Sequence, residues 1–220
     1  MSANAFHLHA VTTTDRPDTG LDPATIAAPD TDRRAPVRET PLPTTGAHPP
    51  LFAILGAHGG AGTSTLARWW AHAADTGLAW PAHPHTTQRV VIAARDCLPG
   101  LTAAADRLRE WHAGLTPHGV TVLGLVLTAA RPGRVPAAVR RYRRTVTDLV
   151  DGAVWTIAWH DDLLVHDLTD LARLTPADPA PPRRARLTQA VPADVHRAAT
   201  AITTVIAAAH HTDPAPGSHP

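Results

Sequence analysis

The chain has 220 residues, and all 20 of its cationic side chains are arginines; lysine is absent. That excludes Schiff-base chemistry and the phosphate-gripping lysine of an ordinary P-loop. A net charge of +1 argues against bulk electrostatic attraction to nucleic acid or membrane and leaves room only for a local patch.

The single cysteine, Cys97, rules out an intrachain disulfide and a cysteine-built zinc cage, which fits a reducing compartment. Its neighbour Asp96 would raise a thiol pKa, so Cys97 is read as unreactive. The first residues have neither the basic start nor the apolar core of a signal peptide. The longest uncharged apolar run, 119–130, falls short of the ~20 residues a spanning helix needs. The expectation is a cytoplasmic protein with no membrane partner.

Residues 1–50 mix Pro, Thr, Asp and Arg without hydrophobic periodicity, so a disordered N-terminal arm is expected. From 51 to 174, short apolar runs alternate with amphipathic stretches, the pattern of a short three-layer α/β domain with a mostly parallel sheet. The run 51–55 (LFAIL) reads as a strand buried on both faces. After a glycine-rich turn, STLARWWAHAAD places Leu66, Trp69, Trp70 and Ala73 at helical spacing. A second strand is expected at 90–94, then a helix with Leu101, Ala104, Ala105, Leu108 and Trp111 on one face and Arg107, Arg109 and Glu110 elsewhere. A third strand at 121–128 leads through RPGR to a helix opened by Pro136, with Val139, Tyr142, Val146 and Leu149 recurring at three and four. A fourth run, 153–159, precedes the helical pattern DDLLVHDLTDLARL. A Pro-rich linker over 175–190, a C-terminal helix over 191–210 and a disordered tail over 211–220 complete the expected organisation.

The segment Gly56 to Trp70 joins a buried strand to a helix. Its glycines permit positive φ and bring amides toward an anion at a helix N-terminus. The alternative is a tight turn in which Ser64 or Thr65 caps the helix. His58-Gly59-Gly60-Ala61-Gly62-Thr63-Ser64-Thr65 resembles the deviant Walker A motif of the ParA/MinD-type partition ATPases, K-G-G-x-G-K-[ST]-[ST], with both lysines replaced, by His58 and Thr63.

That resemblance implies a P-loop fold, ATP with Mg²⁺ as cofactor, phosphate binding by residues 58–65, and Ser64 as the Mg²⁺ ligand if nucleotide binds. It also aligns Thr128 with an adenine-reading asparagine and Asp162 with the aspartate of an I-P-x-D stretch. The family places two strands between the first helix and the next strand, where this chain has only the fourteen residues 76–89. The expectation is that its water-positioning and magnesium-holding carboxylates have no counterpart. The wider pattern is also similar to a group of uncharacterised actinobacterial proteins associated with conjugative or mobile elements.

In an open parallel sheet ligands lie beyond the carboxyl ends of the strands, which nominates Arg95, Asp96, Thr128, Arg131 and Asp162 as a possible ligand edge. Arg95 or Arg131 could restore the missing cation. Arg131, Arg134, Arg140, Arg141, Arg143 and Arg144 form the densest basic run, and Arg140, Arg141, Arg143 and Arg144 are the candidate nucleic-acid contacts, weighed against a solvated helix face. His83 with His85 and His210 with His211 are weak metal signals without acidic or cysteine partners. Trp69, Trp111 and Trp155 read as core; Trp70, Trp80 and Trp159 are open between core, ligand edge and partner surface.

The expected function is a degenerate, non-catalytic P-loop protein that binds nucleotide or phosphate weakly and acts through a protein partner, in the context of plasmid or mobile-element maintenance. Its alternatives are an active ParA-like ATPase with arginine in place of the lysine, and a DNA-associated accessory protein using the arginine-rich helix.

Overall fold

The computed structural model describes residues 26–44 and 48–212, with side chains to Ala209. Expectations for residues 1–25 and 45–47, for His210 with His211 and for 213–220 therefore lie outside the described residues. The main sheet has five parallel strands: β2 (Phe52–Gly56), β3 (Ala73–Gly77), β5 (Arg89–Arg95), β6 (Thr121–Thr128) and β7 (Val154–Ile157), in the order β3-β2-β5-β6-β7. β1 (Val37–Arg38) and β4 (Trp80–Pro81) form a separate parallel pair.

Every strand residue of β2 and the centre of β5 are buried because both sheet faces are covered, which is why these strands read as unbroken apolar runs. On one face Phe52, Ile54, Val91 and Val126 meet α1 (Thr63–Trp69) and α4 (Ala193–Thr212) through Leu66, Trp69, Trp70, Val195 and Ile202. On the other, Leu55, Ile92 and Leu127 meet α2 (Leu98–His112) and α3 (Ala137–Asp148) through Leu101, Leu108 and Val146. The result is the expected α/β arrangement of helices flanking a parallel sheet. Trp70 and Trp80, left open by the sequence, are both core residues. Trp70 donates from Nε1 to the Val195 carbonyl at 3.2 Å, and Trp80 from Nε1 to Glu110 Oε2 at 2.7 Å.

Three expectations need correction. The first helix ends at Trp69, not Asp75: the chain turns at Trp70, and Ala73–Gly77 pairs parallel with β2 as an additional strand, with a register shift after Asp75. Alanine's helix propensity made that stretch look helical, and pairing with the buried β2 overrides it. Likewise, 161–174 forms two short 3-10 turns, Asp161–Leu164 and Leu168–Asp170, instead of a helix. Of the apolar residues in these turns only Leu163 packs against the core, while Leu164 is 73% and Val165 76% exposed, so the periodic pattern has too little cover to stabilise a helix.

The third correction concerns the arm, because residues 26–44 are ordered against α2. Both carboxylate oxygens of Glu110 accept the Ala35 amide, at 3.0 and 3.1 Å, and Arg107 pairs with Glu110 at 2.8 Å. Arg107 also donates to the Arg33 carbonyl, Arg109 donates to the Ala27 carbonyl at 2.7 Å, and Arg33 pairs with Asp106 at 2.6 Å. Leu42 is buried in the same core face. Polar side chains of the helix hold the arm's backbone, so hydrophobic periodicity carries no sign of it.

His72 illustrates a different burial. It lies between α1 and β3 with its ring edge-on to Phe52, and neither ring nitrogen finds a hydrogen-bond partner of good geometry. Burial lowers its pKa, and the Leu174 backbone opposes that only in part. The unfolded imidazole titrates near 6.5, so below that pH the unfolded chain binds the proton first and stability falls until the lowered folded pKa is passed. His72→Leu is expected to hold stability at pH 7.5 and to flatten this acid-side loss, at most about 1.4 kcal/mol per pH unit. Urea midpoints of both proteins at pH 5 and 7.5 check it; parallel losses in the two proteins would count against it.

Candidate functional site

The chain leaves β2 for β3 through α1 on one face, and leaves β5 for β6 through α2 on the other. The crevice between the carboxyl ends of β2 and β5 is therefore the point where strand order reverses, the place where open α/β sheets accommodate ligands. The glycine loop lies there.

Within the loop Gly60 and Gly62 take φ of 78° and 94°, and Gly62 is the residue before α1, with no side-chain cap. Ser64 and Thr65 therefore do not cap the helix. The loop closes through the Ala61 amide to the His58 carbonyl at 3.3 Å. Among the described residues, the amides of Gly59, Gly60, Gly62, Thr63, Ser64 and Thr65 donate to no acceptor. Consecutive unpaired amides around positive-φ glycines make a concave anion nest.

Three side chains hold the nest in shape. His58 accepts the Arg95 amide at Nε2, at 3.1 Å, which places its ring proton on Nδ1, facing the Gly59 carbonyl at 2.8 Å. Its ring is turned into the loop. Arg95 donates from Nε to the Gly60 carbonyl and from Nη1 to the Ala129 carbonyl, both at 2.8 Å, which brings a guanidinium onto the loop. Thr128 is buried behind it, donating to the Ala61 carbonyl at 3.0 Å, so its hydroxyl supports the loop and is not presented to a ligand. The helix α2 approaches so closely that a Cβ on Gly100 would lie 2.2 Å from the Arg95 carbonyl oxygen and 3.0 Å from His58 Nε2.

The opposite flank carries a residue that the sequence reading missed. Asp75, in the middle of β3, accepts from the Ser64 hydroxyl at 2.8 Å, the Thr63 hydroxyl at 3.2 Å and the Gly77 amide at 2.7 Å. Reading 64–75 as one helix hid the strand that delivers this carboxylate to the loop. Among the described residues no group of three or more His, Cys, Asp or Glu side chains is placed to hold a metal. Ser64 and Asp75 together fit only a Mg²⁺ whose remaining ligands are phosphate oxygens and water.

The remaining candidates disperse. Asp96 pairs with Arg143 at 2.8 Å, away from the loop. Arg131 is exposed at a neighbouring cavity, and Asp162 is exposed in its 3-10 turn, where Leu163 and not Asp162 borders the loop. Arg140 donates to the Val135 carbonyl at 2.7 Å, while Arg141 and Arg144 are exposed. His83 and His85 pack ring to ring with centroids 5.5 Å apart. Trp159 donates to Asp161 at 2.7 Å, and Trp69 is buried edge-to-face with His160. No described helix is long and apolar enough to cross a membrane.

Fold and site together define a class: an α/β protein with a parallel sheet and a glycine nest at its strand-order reversal. No protein-family model, curated protein or solved structure compared with the chain matches it.

Proposed function

We propose that this chain is a P-loop-like protein, related to the ParA/MinD type, that binds the phosphate of a nucleotide or a free phosphate weakly, does not hydrolyse it, and works through contacts with another protein. The observation that carries the reading is the set of unpaired amides at Gly59, Gly60 and Gly62–Thr65, set at the strand-order reversal with Arg95 on one flank. The spacing of the glycines, and the Ser64 hydroxyl held by a carboxylate, support the relationship.

The loop's own residues bind and orient. Its amides face the phosphate oxygens, Arg95 supplies the nearest cation, and Ser64 with Asp75 would hold Mg²⁺, which would screen Asp75 from the anion. Thr63, where the family carries lysine, brings no charge, and its hydroxyl is engaged by Asp75. Arg95 has two of its N–H groups committed to backbone carbonyls. Both features weaken stabilisation of a transferring phosphoryl group. Arg95, and not Arg131, is the arginine that a hydrolytic alternative would need.

Asp75→Asn tests the site with little change of shape. Removing one negative charge beside the nest should strengthen metal-free phosphate binding about tenfold and remove its dependence on Mg²⁺. Thermal shift with phosphate and ADP, with and without Mg²⁺, reads this. Wild type and variant responding alike would contradict the placement of phosphate beside Asp75.

A second reading, a DNA-associated accessory protein, is favoured by the five arginines 131, 134, 140, 141 and 144, none of which pairs with a carboxylate among the described residues. Arg140, Arg141 and Arg144 changed together to Ala should then weaken a low-salt mobility shift, with Arg143 retained because it pairs with Asp96. No shift at low salt rejects it.

A further inference from the structure

We propose that the carboxyl edge carries a second ligand site, separate from the glycine loop, that takes a small organic oxyanion: a carboxylate or phosphate ester with a short apolar body. A cavity of about 300 Å³ opens beyond the ends of β6 and β7, bounded by the starts of α4 and by α3. Its apolar wall includes Leu127 and Ile157, and its polar wall is Asp96, Arg143, Asp194 and Arg197. A smaller cavity of about 150 Å³ lies under the 129–136 loop and shares Asp96, Ala129 and Val135 with it. The larger volume suits a small metabolite. The bond from Arg95 to the Ala129 carbonyl stands between this region and the glycine nest.

Charge decides the ligand class. Both carboxylates are already engaged, Asp96 by Arg143 at 2.8 Å and Asp194 by His160 at 3.2 Å and the Ala158 amide at 2.7 Å. Burial alone would raise the Asp194 pKa, but the bonds from His160 and Ala158, with the His160 charge, outweigh it and hold that carboxyl below its ordinary range. Arg197 on the larger cavity, and Arg131 and Arg134 on the smaller, pair with no carboxylate among the described residues. The larger cavity's two carboxylates match its two arginines, so the cationic surplus of the joined cavities comes from Arg131 and Arg134 on the smaller one, and the guanidinium fork matches carboxylate and phosphate alike. Asp96 Oδ1 is buried and accepts no hydrogen bond. A ligand hydroxyl entering between the two cavities would supply the missing donor.

The test uses the full chain with butyrate, lactate, succinate and glycerol 3-phosphate as probes, and chloride and inorganic phosphate as controls, at millimolar concentration. An organic probe should raise Tm and shift the NMR amide signals of residues 129–135 and 156–158; carboxylates against the phosphate ester separates the two sources. Arg197→Ala should weaken that binding about tenfold, Val135→Trp should abolish it by filling the shared wall, and Gly62→Val should leave it intact. The proposal is overturned if no organic probe moves those amides, or if only signals of 59–65 respond. Unchanged affinity in both the Arg197 and Val135 variants also overturns it. Failure of the glycine-loop reading would appear separately, as phosphate binding insensitive to Gly62→Val.

Discussion

Glu110→Ala is expected to cost about 3–5 kcal/mol of stability, the effect of breaking a buried pair by removing one partner. Glu110 is 1% exposed and serves three donors: the Arg107 guanidinium, the Trp80 indole and the Ala35 amide. Truncation leaves a buried cation and two buried N–H groups without an acceptor, and each must be resolvated or left unpaired. The arm at 26–44 should loosen with it, because Ala35 and the 37–38 strand reach the domain through this carboxylate and through β4. Urea denaturation followed by tryptophan fluorescence measures the loss, and limited proteolysis reports the arm. Glu110→Gln, which keeps one acceptor, should fall between the two. A loss below about 1 kcal/mol with the arm still protected would mean that the network contributes nothing net, the ordinary outcome for exposed pairs.

Gly100→Ala is expected to destabilise by about 1–3 kcal/mol, against the direction of helix propensity, and to remove phosphate binding. Gly to Ala inside an exposed helix would gain about 1 kcal/mol. Here the new methyl would lie 2.2 Å from the Arg95 carbonyl oxygen, which is backbone and cannot swing aside. The start of α2 must shift, and with it the Arg95 amide bonded to His58 and the guanidinium bonded to Gly60. The nest is therefore sensitive to a residue outside it. Denaturation midpoints together with a phosphate thermal shift check both consequences. A variant as stable as wild type with binding retained would show that α2 moves freely relative to the loop.

How much of this was legible in the sequence depends on what holds each part. β5, β6, α2 and α3 follow from apolar runs and periodicity because both faces of the sheet are covered. The glycine loop was legible too, since Gly60 and Gly62 occupy positive φ that other residues resist. The helix running past Trp69 was misread because Ala73 and Ala74 suit either state, and only pairing with β2 decides. Asp75 was lost with it. A short gap between the first helix and the next strand looked like a deletion when it was a strand beginning earlier.

The arm was invisible for another reason: it is secured by Glu110, Arg107, Asp106 and Arg109, residues far along the chain that look like an ordinary solvated helix face. Thr63 and His58, the two residues that depart from the resembled motif, are both engaged within the chain: Thr63 contacts Asp75 and His58 braces the loop.

The most direct test of the central claim is a titration of the wild-type chain with ATP, ADP and GTP in the presence of Mg²⁺, with released phosphate assayed in the same samples. The predicted result is weak saturable binding that disappears in Gly62→Val, with no phosphate released. Rapid turnover that Gly62→Val abolishes would contradict it and would make the loop catalytic.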